Sequence, residues 1–150
     1  MVDLKQLMET KKREVIGWTP EFVDNFKCKV KFITRSELRR LLDRCTVITY
    51  DKKTHQRVDR PDMDRFYRHL AAYIVDWKGL TPETLAKILP VDVSGIEGEV
   101  PCTENNKFIL LKEAYEFDEF IRESITSLDS FEEQKLEEEL KNSGALSQQD

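Results

Sequence analysis

A chain of 150 residues, 39% hydrophobic and 35% charged, has the length of one domain and enough apolar content to bury a core without disulfides or metal. No apolar run approaches the roughly 20 residues that span a bilayer. The segment from Met1 to Val15 has no signal-peptide core, so an intracellular protein is expected. Cys28, Cys45 and Cys102 are scattered, with no CxxC pair and only two distant histidines, which predicts free thiols, no metal and no cofactor.

The net charge of −5 is unevenly spread. Residues 1–80 hold 18 Lys/Arg against 12 Asp/Glu, a net +6, and residues 81–150 hold 6 against 17, a net −11. Such a bipolar chain can pair its own halves, dock on copies of itself or bind a charged partner.

In chain order, residues 1–25 read as a loosely held arm, with a thin helical face through Leu4, Leu7, Met8 and Val15 broken at Gly17-Trp18-Thr19-Pro20. From Phe26 to Phe32 the strict alternation FKCKVKF predicts a half-buried strand with Lys27, Lys29 and Lys31 toward solvent. Ser36 is read as the N-cap of a short helix through Leu38, Leu41, Leu42 and Cys45. The β-branched run Val47 to Tyr50 is expected to make a second strand turning at 51–55, a loop being the alternative.

The most strongly patterned stretch runs from Asp59 to Gly79. Phe66, Leu70, Tyr73, Ile74 and Trp77 recur at helical spacing, an acid-rich start follows Pro61, and Gly79 follows Lys78 as at a helix C-terminus. It predicts one continuous central helix, with those five side chains and Gly79 as structural residues. Thr81-Pro82-Glu83 opens a short helix and residues 90–102 form a Gly/Pro-rich loop. A long helix is expected from Thr103 to about Leu128, with Phe108, Leu111, Tyr115 and Ile121 on its apolar face. A charged last helix follows, with Phe131, Leu136 and Leu140 as sparse apolar positions, and 143–150 is expected to be a disordered tail. Together these give a mainly helical α+β domain over 26–142: a small antiparallel β element followed by four or five helices.

No nucleotide-binding, zinc-protease or nucleophile-elbow motif is present, and nothing local offers a base to a cysteine; His69, at the edge of the central stripe, reads as a partly buried hydrogen-bonding residue. A non-enzyme is therefore expected. The basic segment 27–44 is a candidate phosphate-binding surface. A solvated charged face weighs more heavily, because no stacking aromatics or helix-turn-helix spacing accompany it and the acidic half repels nucleic acid. As partner-binding residues the sequence offers Lys27, Lys29, Lys31, Arg39 and Arg40 on the basic side and Phe131, Leu136 and Leu140 on the acidic last helix. Head-to-tail self-association and intramolecular pairing are both open.

Two stretches carry a family resemblance: AAYIVDWKGL, an apolar run ending in Trp77-Lys78-Gly79, and PCTENNKFILLKEAYEFDEFI after a loop, with a charged end at Leu140-Lys141-Asn142. This order resembles the small tail assembly chaperones of tailed phages and prophages, over roughly Phe26 to Asn142. The chain departs from them in its N-terminal arm and in TPETLAKILP. The resemblance implies a non-enzymatic adaptor in the bacterial host cytoplasm that binds the tape-measure protein and recruits tail-tube protein. The alternative is a small cytoplasmic regulator or nucleic-acid-binding protein using residues 27–44.

Overall fold

The computed structural model describes residues 2–127; the expected last helix, with Phe131, Leu136 and Leu140, and the expected tail lie outside them. The elements in order are α1 (Leu4–Thr10), β1 (Ile16–Trp18), β2 (Lys27–Lys31), α2 (Arg35–Arg44), β3 (Thr46–Tyr50), β4 (Arg57–Pro61), α3 (Met63–Ala71), β5 (Ile74–Lys78), α4 (Pro82–Ile88), α5 (Glu104–Glu113) and α6 (Tyr115–Ile125). β2 lies between β1 and β5 in an antiparallel three-stranded sheet, and β3 and β4 make a separate hairpin. About 43% helix and 18% strand make this a mixed fold, which corrects the expectation of a mainly helical one.

The correction arises chiefly at the expected central helix. It begins at Met63, with residues 59–61 closing β4 instead, and ends at Ala71, after which Ile74 to Lys78 turn back as β5, antiparallel to β2. The pairing runs Lys27↔Lys78, Cys28↔Trp77 and Lys29↔Asp76, then skips to Val30↔Ile74, leaving Val75 as an extra, exposed residue. A bulge of this kind puts residues three apart on the same side of a strand. Ile74 and Trp77 therefore both face the core, at the spacing that also reads as a helix. The β-branched and aromatic run Tyr73-Ile74-Val75 favours the strand.

Other expectations change as well. The helix predicted from Thr103 to about Leu128 is broken at Ala114, whose backbone is extended (φ −107°, ψ 95°), and Tyr115 is exposed rather than on the apolar face. The buried positions 110, 114, 117, 121 and 125 keep helical spacing across the break, so the pattern does not mark it. The residues read as an arm include β1, which pairs with β2, and Thr19, which is buried. Thr19 hydroxyl oxygen accepts from Cys28 N (3.1 Å) and Thr19 N donates to Cys28 O (2.7 Å), so the edge strand is tied in.

Helix starts follow the sequence closely. Thr81 and Thr103 cap α4 and α5 through their hydroxyls, and Asp62 caps α3. The cap of α2 is Thr34 rather than Ser36, with Glu37 N donating to its hydroxyl at 3.2 Å. The strands expected at 26–32 and 47–50 are both present.

The core fills one side of the sheet. Cys28 and Val30 from β2 and Ile74 and Trp77 from β5 meet Phe66 and Leu70 of α3, Leu111 of α5, and Phe117, Ile121 and Ile125 of α6. Phe26 stacks on Phe117 at 5.7 Å and meets Trp77 edge-on at 5.7 Å. The Trp77 indole N–H donates to Val100 O (2.8 Å), and Val100 N donates to Leu80 O (2.8 Å), pinning the Gly/Pro-rich loop to the end of β5. Asp24 holds α4 through Thr84 and Lys87. Lys87 first, then Thr84, lower the Asp24 pKa, so this tie is present at neutral pH and is lost as pH falls through that lowered value.

Gly79 sits at φ +83°, where a Cβ would lie 2.3 Å from the Asn25 carbonyl oxygen. Backbone conformation and space both require glycine there. Two substitutions test this packing by chemical denaturation. Trp77→Ala is expected to cost about 3–5 kcal/mol through lost burial and an unpaired Val100 carbonyl. Gly79→Ala is expected to destabilise as well, since L side chains at positive φ are strained and the contact lies against backbone. Wild-type stability in either variant contradicts the packing.

Candidate functional site

The outward side of the three-stranded sheet is built by alternation. Because Cys28 and Val30 point into the core, Lys27, Lys29 and Lys31 point away from it, half-buried among their neighbours. Register places Trp18 beside Lys29 from β1 and Asp76 beside it from β5, with Lys78 opposite Lys27. The Lys78 ammonium lies 4.5 Å and the Lys27 ammonium 5.9 Å from the Trp18 ring centroid, both in cation–π range. Lys31 pairs with Glu14 at 3.0 Å. The result is a row of three lysines along β2 with Lys78 beside Lys27 on β5, and one aromatic ring in reach of both Lys27 and Lys78.

Arg39 and Arg40, read from sequence as part of the same surface, stand on α2 beside different neighbours. Arg39 borders an open groove against α6 with Leu42, Glu119 and Arg122, and Arg40 borders the cleft between α1 and α2, about 810 Å³, near Glu9 and Glu37. Acids accompany both arginines, as Asp76 opposite Lys29 and Glu14 against Lys31 accompany the lysines. Phe66, Leu70, Ile74 and Trp77 are buried and Tyr73 is half-buried, so the structural set occupies the core side. Lys78 and Trp18 escaped the sequence reading because each belongs to a segment assigned elsewhere: Lys78 to a helix end and Trp18 to the arm.

The remaining reactive groups have structural settings. Cys28 and Cys45 are buried and Cys102 is partly so. Burial pushes the Cys102 thiol up to about 11, with nearby Lys107 acting in the opposite direction, so it is protonated at neutral pH and a weak nucleophile. His69 is exposed on α3 rather than partly buried, and His55 lies in the β3–β4 turn at φ +57°. Among the described residues there is no group of three His, Cys, Asp or Glu side chains placed to hold a metal, and no helix long and apolar enough to cross a membrane.

Comparison with family models, curated proteins and solved structures gives no match for this chain.

The thiol setting has a direct consequence. Alkylation of the native protein by iodoacetamide, followed by mass spectrometry, is expected to be slow at Cys102 near neutral pH and to accelerate as pH approaches 11. Rapid modification of Cys102 at pH 7 contradicts it.

Proposed function

We propose that this chain is a non-enzymatic assembly adaptor of the phage tail chaperone type, working in the bacterial host cytoplasm. In this reading the tape-measure protein is its client and tail-tube protein the subunit it recruits. The carrying observation is the row Lys27, Lys29, Lys31 and Lys78 on the outward sheet face. A cationic surface on the outward side of a sheet suits an extended acidic polypeptide, which it meets by charge complementarity along several residues rather than by enclosure.

The two stretches behind the family resemblance bear on the same reading. The first supplies Ile74, Trp77 and Leu80, the second Lys107 and Leu111, and the two are joined directly: Lys107 Nζ donates to Ile74 O at 2.9 Å. Their joint role is to hold β5 and its neighbours in place, which in turn holds the lysine row. A second reading, single-stranded nucleic acid along the same face, is favoured by Trp18 in reach of Lys27 and Lys78, because an aromatic beside cations can stack a base.

Co-expression separates the two. The chain with Lys27, Lys29 and Lys31 all changed to Gln removes the charges without setting new acids against Asp76 and Glu14, and is expected to stay folded and to lose more than tenfold in capture of a co-expressed tape-measure protein. Salt-sensitive binding of a single-stranded oligonucleotide by the wild type, lost on Trp18→Ala, with tape-measure capture unchanged in the triple variant, overturns the adaptor reading in favour of the second.

A further inference from the structure

The β3–β4 hairpin stands apart from the sheet and carries the exposed apolar residues Val47 (46%), Ile48 (50%) and Tyr50 (67%). Its backbone pattern fixes which edge is available. Asp62 N donates to Cys45 O and Asp51 N to Gln56 O, each at 2.8 Å, bracketing the ladder. With register Val47↔Arg60 and Thr49↔Val58, the alternation of an antiparallel pair assigns the bonded positions to Val47 and Thr49. The N–H and C=O groups of Thr46, Ile48 and Tyr50 therefore turn away from β4. Among the described residues β3 pairs with no other strand.

The two edges of the hairpin differ in chemistry. β4 turns Arg57, Asp59 and Pro61 outward by the same alternation, and Pro61 has no N–H to donate. A symmetric pairing of β4 with its own copy sets Asp59 against Asp59. Charge and proline are the means by which edge strands are kept from pairing. β3, Thr46-Val47-Ile48-Thr49-Tyr50, has no charge, no proline and no glycine.

We propose that β3 is a self-association edge, pairing antiparallel with β3 of a second copy about a two-fold axis at Ile48. That register uses the whole strand. Ile48 opposes Ile48, Thr46 opposes Tyr50, and no charged side chain of one strand opposes another. The outward backbone groups of Thr46, Ile48 and Tyr50 meet their equivalents, turning a two-stranded hairpin, a marginal structure in water, into a four-stranded sheet. An axis through Ile48 closes the contact at two copies. Pairing five residues buries a few hundred Å², well below the roughly 1,600 Å² of a standard stable interface, so the dimer is weak and its population rises with concentration. The inference stands independently of the lysine face.

Sedimentation velocity over a concentration series tests it with the full chain. The wild type is expected to show a dimer fraction that grows with concentration. Ile48→Lys and Ile48→Glu each place like charges across the axis and are expected to remain monomeric at every concentration. Ile48 is half exposed and lies across from Asp59, so Ile48→Lys should keep wild-type thermal unfolding while Ile48→Glu unfolds slightly lower; the Lys variant therefore carries the test of the edge. Mixing the two variants in equal amounts is expected to restore the dimer, since the opposed residues become complementary, and rising salt should weaken it. A wild type that stays monomeric throughout, as it would if a foreign strand is the occupant, overturns the proposal. So does a dimer that survives Ile48→Lys, or a mixture that fails to associate.

Discussion

The edge of β5 decides how the domain closes. A strand edge leaves carbonyls and amides needing partners, and among the described residues no further strand supplies them. Lys107, 5% exposed on α5, reaches Ile74 O beside the bulge while holding Glu104 at 2.6 Å, and the Trp77 side chain receives the loop through Val100. A buried lysine is tolerated because its ammonium is paired and hydrogen-bonded. The same contacts bring α5 onto α3, and α6 then carries Phe117 and Ile121 over the inner face of the sheet. Without the bulge, Ile74 and Trp77 would point to opposite sides, and one of the two large side chains would lose its place in the core.

How far the sequence was legible follows from which signals are local. Threonine caps at 81 and 103, the alternation of 26–32 and the Gly/Pro-rich loop are each decided within a few residues, and they read correctly. The bulged strand was misread for a physical reason. Periodicity reports which residues are buried, and Phe66, Leu70, Ile74 and Trp77 are indeed all buried. It does not report that the chain reverses between Leu70 and Ile74, since a bulge imitates helical spacing. Gly79 was likewise seen as a helix end, whereas its positive φ serves the exit from β5 against the backbone of Asn25.

The candidate surface was legible in half. Lys27, Lys29 and Lys31 follow from period two alone. Lys78 depends on strand pairing with Lys27 across about fifty residues, which no local pattern carries, and Trp18 on pairing β1 with β2 inside a segment read as an arm. Arg39 and Arg40 show the converse limit, because proximity in sequence suggested a shared surface while the turn at 32–34 directs α2 elsewhere. On α2 the four arginines stand among Glu37 and Asp43, much as the sheet lysines stand beside Asp76 and Glu14; what sets the sheet face apart is the Trp18 ring in reach of Lys27 and Lys78.

The lysine face and the β3 edge lie on separate sheets. This separation matters if the client is a long chain. A weak contact of five residues associates little in dilute solution, but two copies bound to one polypeptide meet at an effective concentration set by the client segment between them. Contacts too small to hold free copies together then become populated on the client and dissolve once it is released. A two-fold contact pairs neighbours without propagating a filament, because each β3 edge is consumed by a single partner. Reversible pairing on a template, without uncontrolled growth off it, is the behaviour that an uncharged edge on one strand and a charged, proline-bearing edge on the other allow together.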